Sequence, residues 1–181
     1  MNDIKVMNHA ADNIRILTAA MVEKAKSGHP GGAMGGADFI NVLYSEYLQY
    51  DPENPEWEGR DRLFLDPGHM SPMLYGVLSM TGHFTLEELQ QFRQWGSPTP
   101  GHPELCVKRG VENSSGPLGQ GHTYGIGAAI AAKFLAARTG NPTFNKETIY
   151  IYISFSVGES SFKIASLILA VTYEEYATSI P

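Results

Sequence analysis

"RLFLDPGHMSPMLYGVLSMTG", residues 62–82, changes character twice within one short passage. Residues 62–66 read as a short buried strand, with Leu63, Phe64 and Leu65 apolar. The next few residues contain proline, glycine and histidine, which favour a turn, and the residues after them look helical. Strand, loop, helix is the repeating unit of an α/β fold. A second strand is predicted from "TIYIYIS" at 148–154, a β-branched and aromatic run suited to the buried interior of a parallel sheet. The expected architecture is α/β: a doubly wound, mainly parallel sheet flanked by helices, and incomplete.

The spacing of Ala10, Ile14, Leu17, Met21 and Ala25 predicts a helix over residues 8–27, with Gly28 suited to its C-cap. A glycine-rich bridge, "SGHPGGAMGG", leads to a second amphipathic segment containing Ala37, Ile40, Leu43, Tyr44, Tyr47 and Leu48. Thr85 and Glu88 have the spacing of a capping box that opens "LEELQQFRQW" as a helix. From Gly96 to Gly121 neither helical nor strand period is present. A segment of that length without regular structure is uncommon in a compact domain unless it serves a function. Another helix is expected at about 122–138, and one more near 160–176.

Composition narrows the function classes. The 181 residues are 43% hydrophobic and 18% charged, as in globular proteins, and the net charge of −6 argues against general binding to nucleic acid or to an anionic membrane. The longest apolar stretch, "IASLILAV" at 164–171, is too short to span a bilayer, and "MNDIKVMNHAADN" lacks the pattern of a secretory signal. A cytoplasmic location is expected. The single cysteine, Cys106, excludes an intrachain disulfide framework and leaves two readings, a nucleophile or an incidental thiol.

"SSGPLGQGHTYGIGAAIAAKFLAARTG", residues 114–140, crowds Gly116, Gly119, Gly121, Gly125 and Gly127 before and inside a run of helix formers. Each glycine inside a helix costs about 0.5–1 kcal/mol relative to alanine, so the crowding needs a cause. Two remain open: a loop whose amides meet a phosphate at a helix N-terminus, or close helix packing with a tight turn. No G-x-x-x-x-G-K-[ST] is present and no G-x-G-x-x-G directly follows a strand, which weakens nucleotide readings. His29 in "SGHPGG", His69 in "DPGHMS" and His102 in "TPGHPE" all sit among turn residues, where an imidazole is free to face a ligand.

Four passages in order, "KAKSGHPGGAMGGAD", "RDRLFLDPGHMSPMLYGVL", "FRQWGSPTPGHPE" and "GVENSSGPLGQG", resemble the consecutive motifs of the N-terminal, diphosphate-binding domain of the transketolase family. The resemblance runs over about residues 8–154. It implies a fold that holds thiamine diphosphate and, in the complete enzyme, transfer of a two-carbon ketol unit between sugar phosphates in carbohydrate metabolism. By motif position, His69, Gly116, Pro117 and Leu118 would contact the cofactor, while His29 and His102 would be catalytic and face the sugar. His122 matches more loosely at the border of the same site.

Beyond Ser154 the likeness stops. The family carries a Gly-Asp-Gly-type turn and a later asparagine that hold Mg²⁺, whereas this chain reads "SFSVGE", with no aspartate after Asp66 and no asparagine after Asn145. No metal-ligating residue is assigned, and Glu159 is the only nearby carboxylate. The expected organisation is a partial diphosphate-binding domain over 1–154 and a divergent tail over 155–181. Thiamine diphosphate binding is expected to be weak or lost, and the chain inactive alone. Its expected partners are a complementary transketolase chain or a second copy. A non-catalytic remnant, or a module binding phosphate or sugar, is the alternative.

Overall fold

The structure, a computed structural model, describes residues 2–141, 143, 148–156 and 164–171, with residues 153–156 and 164–171 described through their backbone. Helix α1 spans Ile4–Ala25. It starts earlier than the apolar spacing predicts because Asp3 caps it, its Oδ1 accepting from the amides of Lys5 (2.7 Å) and Val6 (3.4 Å). It also ends earlier. Lys26, rather than Gly28, takes the left-handed cap conformation at φ 51°, and its N–H returns to the Glu23 carbonyl.

The glycine-rich bridge is itself partly helical. Pro30, whose ring presets a helical φ, opens α2 (Pro30–Gly35), and α3 (Ala37–Val42) follows across Gly36. One π-helical turn, Leu43–Tyr47, completes the segment expected to be a single helix. Gly36, at the junction, packs closely on Met73: a Cβ there would lie 2.5 Å from Met73 Sδ.

Strand β1 (Arg62–Leu65) passes through a 3₁₀ turn, Gly68–Met70, into α4 (Ser71–Met80). The Thr85–Glu88 capping box forms at the start of α5, although α5 is only Leu86–Leu89. The stretch from Gly96 to Gly119 is irregular apart from one 3₁₀ turn at Val107–Arg109 and a bridge between Cys106 and Val111. Helix α6 runs Gln120–Thr139, and β2 (Ile149–Ser156) follows.

β1 and β2 are parallel, Arg62 opposite Ile149 and Leu65 opposite Tyr152. Their side chains alternate between two apolar layers. Leu63, Leu65 and Tyr152 join the core formed with α1, α3 and α4, where Ile14, Ile40, Met73 and Leu78 are buried. Phe64, Ile149 and Ile151 face the opposite way, against Ala128 and Ala129 of α6. Burial on both faces accounts for strands that are apolar at nearly every position.

The last described segment corrects one expectation. Residues 164–171 are not helical: they form β3 (Ile164–Val171), antiparallel to β2, with Ile149 opposite Val171 and Ser156 opposite Ile164. A short apolar run is ambiguous between helix and strand by periodicity alone. The unpaired N–H and C=O groups along the free side of β2 decide it, because an added strand satisfies them and a helix does not. The sheet, in order β1-β2-β3, thus has one parallel and one antiparallel pair.

Helix α6 lies close to the sheet because two of its glycines permit it. A Cβ on Gly121 would fall 2.2 Å from Asp66 Cα, and one on Gly125 would fall 2.5 Å from Ile151 Cγ1, whereas among the described residues nothing lies within 4 Å of one on Gly127. G121A must therefore displace backbone and is expected to destabilise the chain by at least about 1–3 kcal/mol. G127A is expected to stabilise it by about 0.5–1 kcal/mol. Denaturant unfolding of the two variants checks the contrast, which fails if they shift the midpoint in the same direction.

Candidate functional site

The candidate site lies beyond the carboxyl end of β1, where open α/β sheets bind ligands. Its framework is the strip Val111–Ser115, in which successive residues fasten different parts of the chain. Glu112 accepts two hydrogen bonds from Arg60, at 2.7 and 3.0 Å, and both side chains are only 9% exposed. Asn113 is buried beside β1, its Oδ1 accepting from Leu65 N (3.1 Å) and its Nδ2 donating to Leu65 O (3.2 Å). The amide side chain thereby acts as one more strand residue along the β1 edge. Ser114 Oγ accepts from Leu105 N, and Ser115 N donates to Pro103 O. Gly116–Leu118 follows directly from this anchored strip.

The loop carrying His102 is held from the other side by α4. Ser71 Oγ donates to the Gly101 carbonyl (2.7 Å), and Tyr75 Oη, one helical turn later, donates to that of Pro100 (2.9 Å). His69 sits in the 3₁₀ turn that leads into the same helix. The local geometry of Ser71 thus couples the His69 turn to the His102 loop. Gly68 lies so close to Ser115 that a Cβ there would come 2.7 Å from Ser115 Oγ, a buried hydroxyl without a hydrogen-bond partner.

His29, His69 and His102 come together. The rings of His29 and His69 meet edge to face with centroids 5.2 Å apart. Partial burial, then the nearby charge of His29 and His102, depresses the pKa of His69. Burial first, then Arg93 and His29, depresses that of His102. Gly116 adjoins His102, whose Cγ would be 3.9 Å from a Cβ at that glycine. Pro117 and Leu118 are exposed, Leu118 by 66%. Among the described residues no group of three or more His, Cys, Asp or Glu is placed to hold a metal ion. Glu159 lies outside the described residues. Cys106 is exposed and unpaired with another cysteine, so packing does not explain it.

The N-terminus of α6 is occupied from within the chain. Asp66, its side chain only 6% exposed, accepts from Gly119 N through Oδ2 and from His122 N through Oδ1, both at 3.3 Å. His122 Nδ1 lies 3.8 Å from the same carboxylate, which draws this half-exposed imidazole toward Asp66. The helix dipole and two free amides favour an anion at this point, and Asp66 supplies one. Sequence reasoning did not single out Asp66, Asn113 or Ser71. Asp66 carried a faint signal, an aspartate closing an apolar strand; the Asn113 and Ser71 contacts join residues at least 30 apart and leave no local pattern.

An α/β sheet, a glycine-rich loop and clustered turn histidines define a class of α/β domain with a polar cleft at its strand ends. The sequence profile of the thiamine diphosphate binding domain of transketolase matches residues 6–166, and the chain belongs to this family. Transketolase 1 of Escherichia coli is 48% identical over 143 residues, which cover 78% of this chain and 22% of that protein. The chloroplastic transketolase-1 of Arabidopsis thaliana is 45% identical over 152 residues, 83% of this chain and 20% of that protein. Among solved structures, transketolase from Leishmania mexicana superposes with a TM-score of 0.76 at 43% identity, covering 81% of this chain and 22% of that one. The Pichia stipitis transketolase in complex with sedoheptulose-7-phosphate superposes with a TM-score of 0.71 at 38% identity, covering 82% of this chain and 22% of that one. The chain spans about a fifth of the length of the curated relatives it matches. No helix among the described residues is long and apolar enough to cross a membrane.

Burial gives the histidines a measurable effect on stability. His69, His83 and His102 all have folded-state pKa values below the ordinary 6.5, with desolvation the first cause in each. Folded chains therefore resist protonation that unfolded chains accept as pH falls through that value. Stability is complete above it and declines below it. Denaturant midpoints are expected to be lower at about pH 5.5 than at about pH 7.5, and H69Q should reduce the difference. Equal wild-type midpoints at the two pH values would contradict this account.

Proposed function

We propose that this chain forms the diphosphate-domain wall of a transketolase-type site, within a doubly wound thiamine-diphosphate-binding fold, and takes part in two-carbon ketol transfer between sugar phosphates. The observation that carries this reading is the convergence of His29, His69 and His102 beside the uncovered backbone of Gly116. Gly116 leaves room for a ring or chain to lie against the main chain. The capped end of α6 fits less well, since Asp66 already holds two of its amides. Contact between the loop and thiamine diphosphate is therefore assigned to Gly116, Pro117 and Leu118, with His69 as the polar cofactor contact.

When bound, thiamine diphosphate supplies the electron sink for cleaving and transferring the two-carbon unit. The protein orients the reactants and handles their protons. A depressed pKa leaves His69 and His102 neutral at neutral pH, able to donate through one ring nitrogen and accept through the other. His29 and His102, both exposed, are assigned to the sugar hydroxyls. The exposed apolar stripe of Ile126, Ile130 and Phe134 along α6 supports a protein partner, either a complementary transketolase chain or a second copy. A cytoplasmic location accords with this metabolic role.

Calorimetric titration of the 181-residue chain with thiamine diphosphate tests the cofactor assignment. Binding is expected to be weak. Mg²⁺ should strengthen it by less than about tenfold, or 1.4 kcal/mol, because the sequence has neither the aspartate nor the asparagine of the family's metal turn. H69Q and G116V should each weaken it further. In a coupled ketol-transfer assay, turnover is expected only after addition of a polypeptide carrying the pyrimidine-binding domain. Turnover by the rigorously purified chain alone would refute the proposed division of the site.

A further inference from the structure

Arg93 is held in a conformation that needs a reason. Its φ of 63° places a bulky L residue in the left-handed region, where its Cβ crowds the backbone. Its N–H donates to the Thr99 carbonyl (3.0 Å), closing residues 93–99 into a tight loop. Thr99 is fully buried and donates through Oγ1 to the Glu88 carbonyl (2.9 Å), so the loop is fixed to α5.

From this strained backbone the side chain turns inward between two segments. Nη1 donates to Ser27 Oγ (2.7 Å), two residues before His29. On its other side the guanidinium lies against Gly101, the residue before His102. A Cβ on Gly101 would be 2.6 Å from Nε and 2.9 Å from Cζ. Nε is buried with no hydrogen-bond partner, and Cζ lies 5.8 Å from the Phe92 ring centroid. A strained backbone, an unsatisfied donor and a partly buried cation oppose folding together. They coincide at one residue that touches both histidine-bearing segments.

We propose that Arg93 is a positioning residue that locks the His29 and His102 segments in register and presents a fixed positive charge to His102 within a shared cleft. Ser27, Arg93, Gly101, His102 and Glu104 line that cleft. The electrostatics agree with the geometry. After burial, Arg93 is the next cause of the lowered pKa of His102, followed by His29; His69 is the third imidazole of the cluster, and Glu104 is the carboxylate in the cleft. A flat guanidinium reaches Ser27 with one nitrogen while its plane covers Gly101, a pairing that a lysine ammonium does not reproduce. The inference concerns the two imidazoles assigned above to the sugar, but its test reads protonation, so failure of ketol transfer would leave it standing.

NMR titration of the histidine imidazoles in the 181-residue chain tests it. R93Q removes the charge, and the His102 pKa is expected to rise toward its ordinary value. R93K keeps the charge but not the fork: the His102 pKa should stay low while the imidazole resonances of both His29 and His102 move. G101A pushes the guanidinium aside without deleting it, and should raise the His102 pKa and shift His29. This variant decides the matter if R93Q fails to fold. An unchanged His102 pKa in R93Q, or in G101A when R93Q is unfolded, would overturn the proposal. So would R93Q and R93K titrating alike.

Discussion

Two hydrogen bonds between the Asn113 side chain and the main chain of Leu65, one accepted by Oδ1 and one donated by Nδ2, determine where the site can form. β1 is only four residues long and is the outer strand of the described sheet, so its free edge would otherwise leave buried polar groups unpaired. Asn113 satisfies that edge with an amide of the right shape. It also fixes the chain immediately before Gly116 against the strand end that leads to His69. Glu112, paired with Arg60 in a nearly dry environment, fastens the residue before it. Losing one partner of such a pair leaves a buried charge uncompensated, which is far more costly than the modest net value of the pair itself. The bare loop is held by residues that precede it in the chain.

The crowded glycines serve different purposes. Gly121 and Gly125 let α6 approach Asp66 and Ile151, so their role is packing. Gly119, at φ +89°, provides the left-handed turn that aims its amide at Asp66. Gly116 differs: a Cβ there would meet only ordinary van der Waals contact, with His102 Cγ at 3.9 Å. A helix N-terminus attracts an anion of any origin, and here a nearly buried carboxylate from the same chain meets that demand. The packing roles of Gly121 and Gly125, which the composition of the loop does not reveal, thus separate in space from the less crowded Gly116.

The histidine cluster depends on a similar division of labour. Among the described residues none of the three imidazoles makes a hydrogen bond, and His29 and His69 touch only edge to face. Their backbones are placed by Ser71 and Tyr75 on α4, by Ser115 in the anchored strip and by Arg93 between Ser27 and Gly101. Hydrogen bonds to carbonyls position a loop without consuming the ring nitrogens, which stay free for a ligand. For His69 and His102, desolvation lowers the pKa and so favours the neutral ring.

The sequence by itself determined the α/β class, both strands β1 and β2, the α5 capping box, the irregular stretch from Gly96 onward and, through its four ordered motifs, the transketolase family. These rest on local signals: apolar period, turn residues, cap spacing and short contiguous motifs. Only the tertiary structure decided the rest. It made residues 164–171 a strand, because the open edge of β2 is a partner that no periodicity reveals. It ended α1 at Ala25, where Lys26 could take the left-handed cap. It assigned the α6 terminus to Asp66, more than fifty residues away in the chain, and placed Arg93 between two segments sixty-six and eight residues from it. Side-chain bonds across such distances leave no trace in a local window, since their geometry exists only once the sheet and its helices have closed around them.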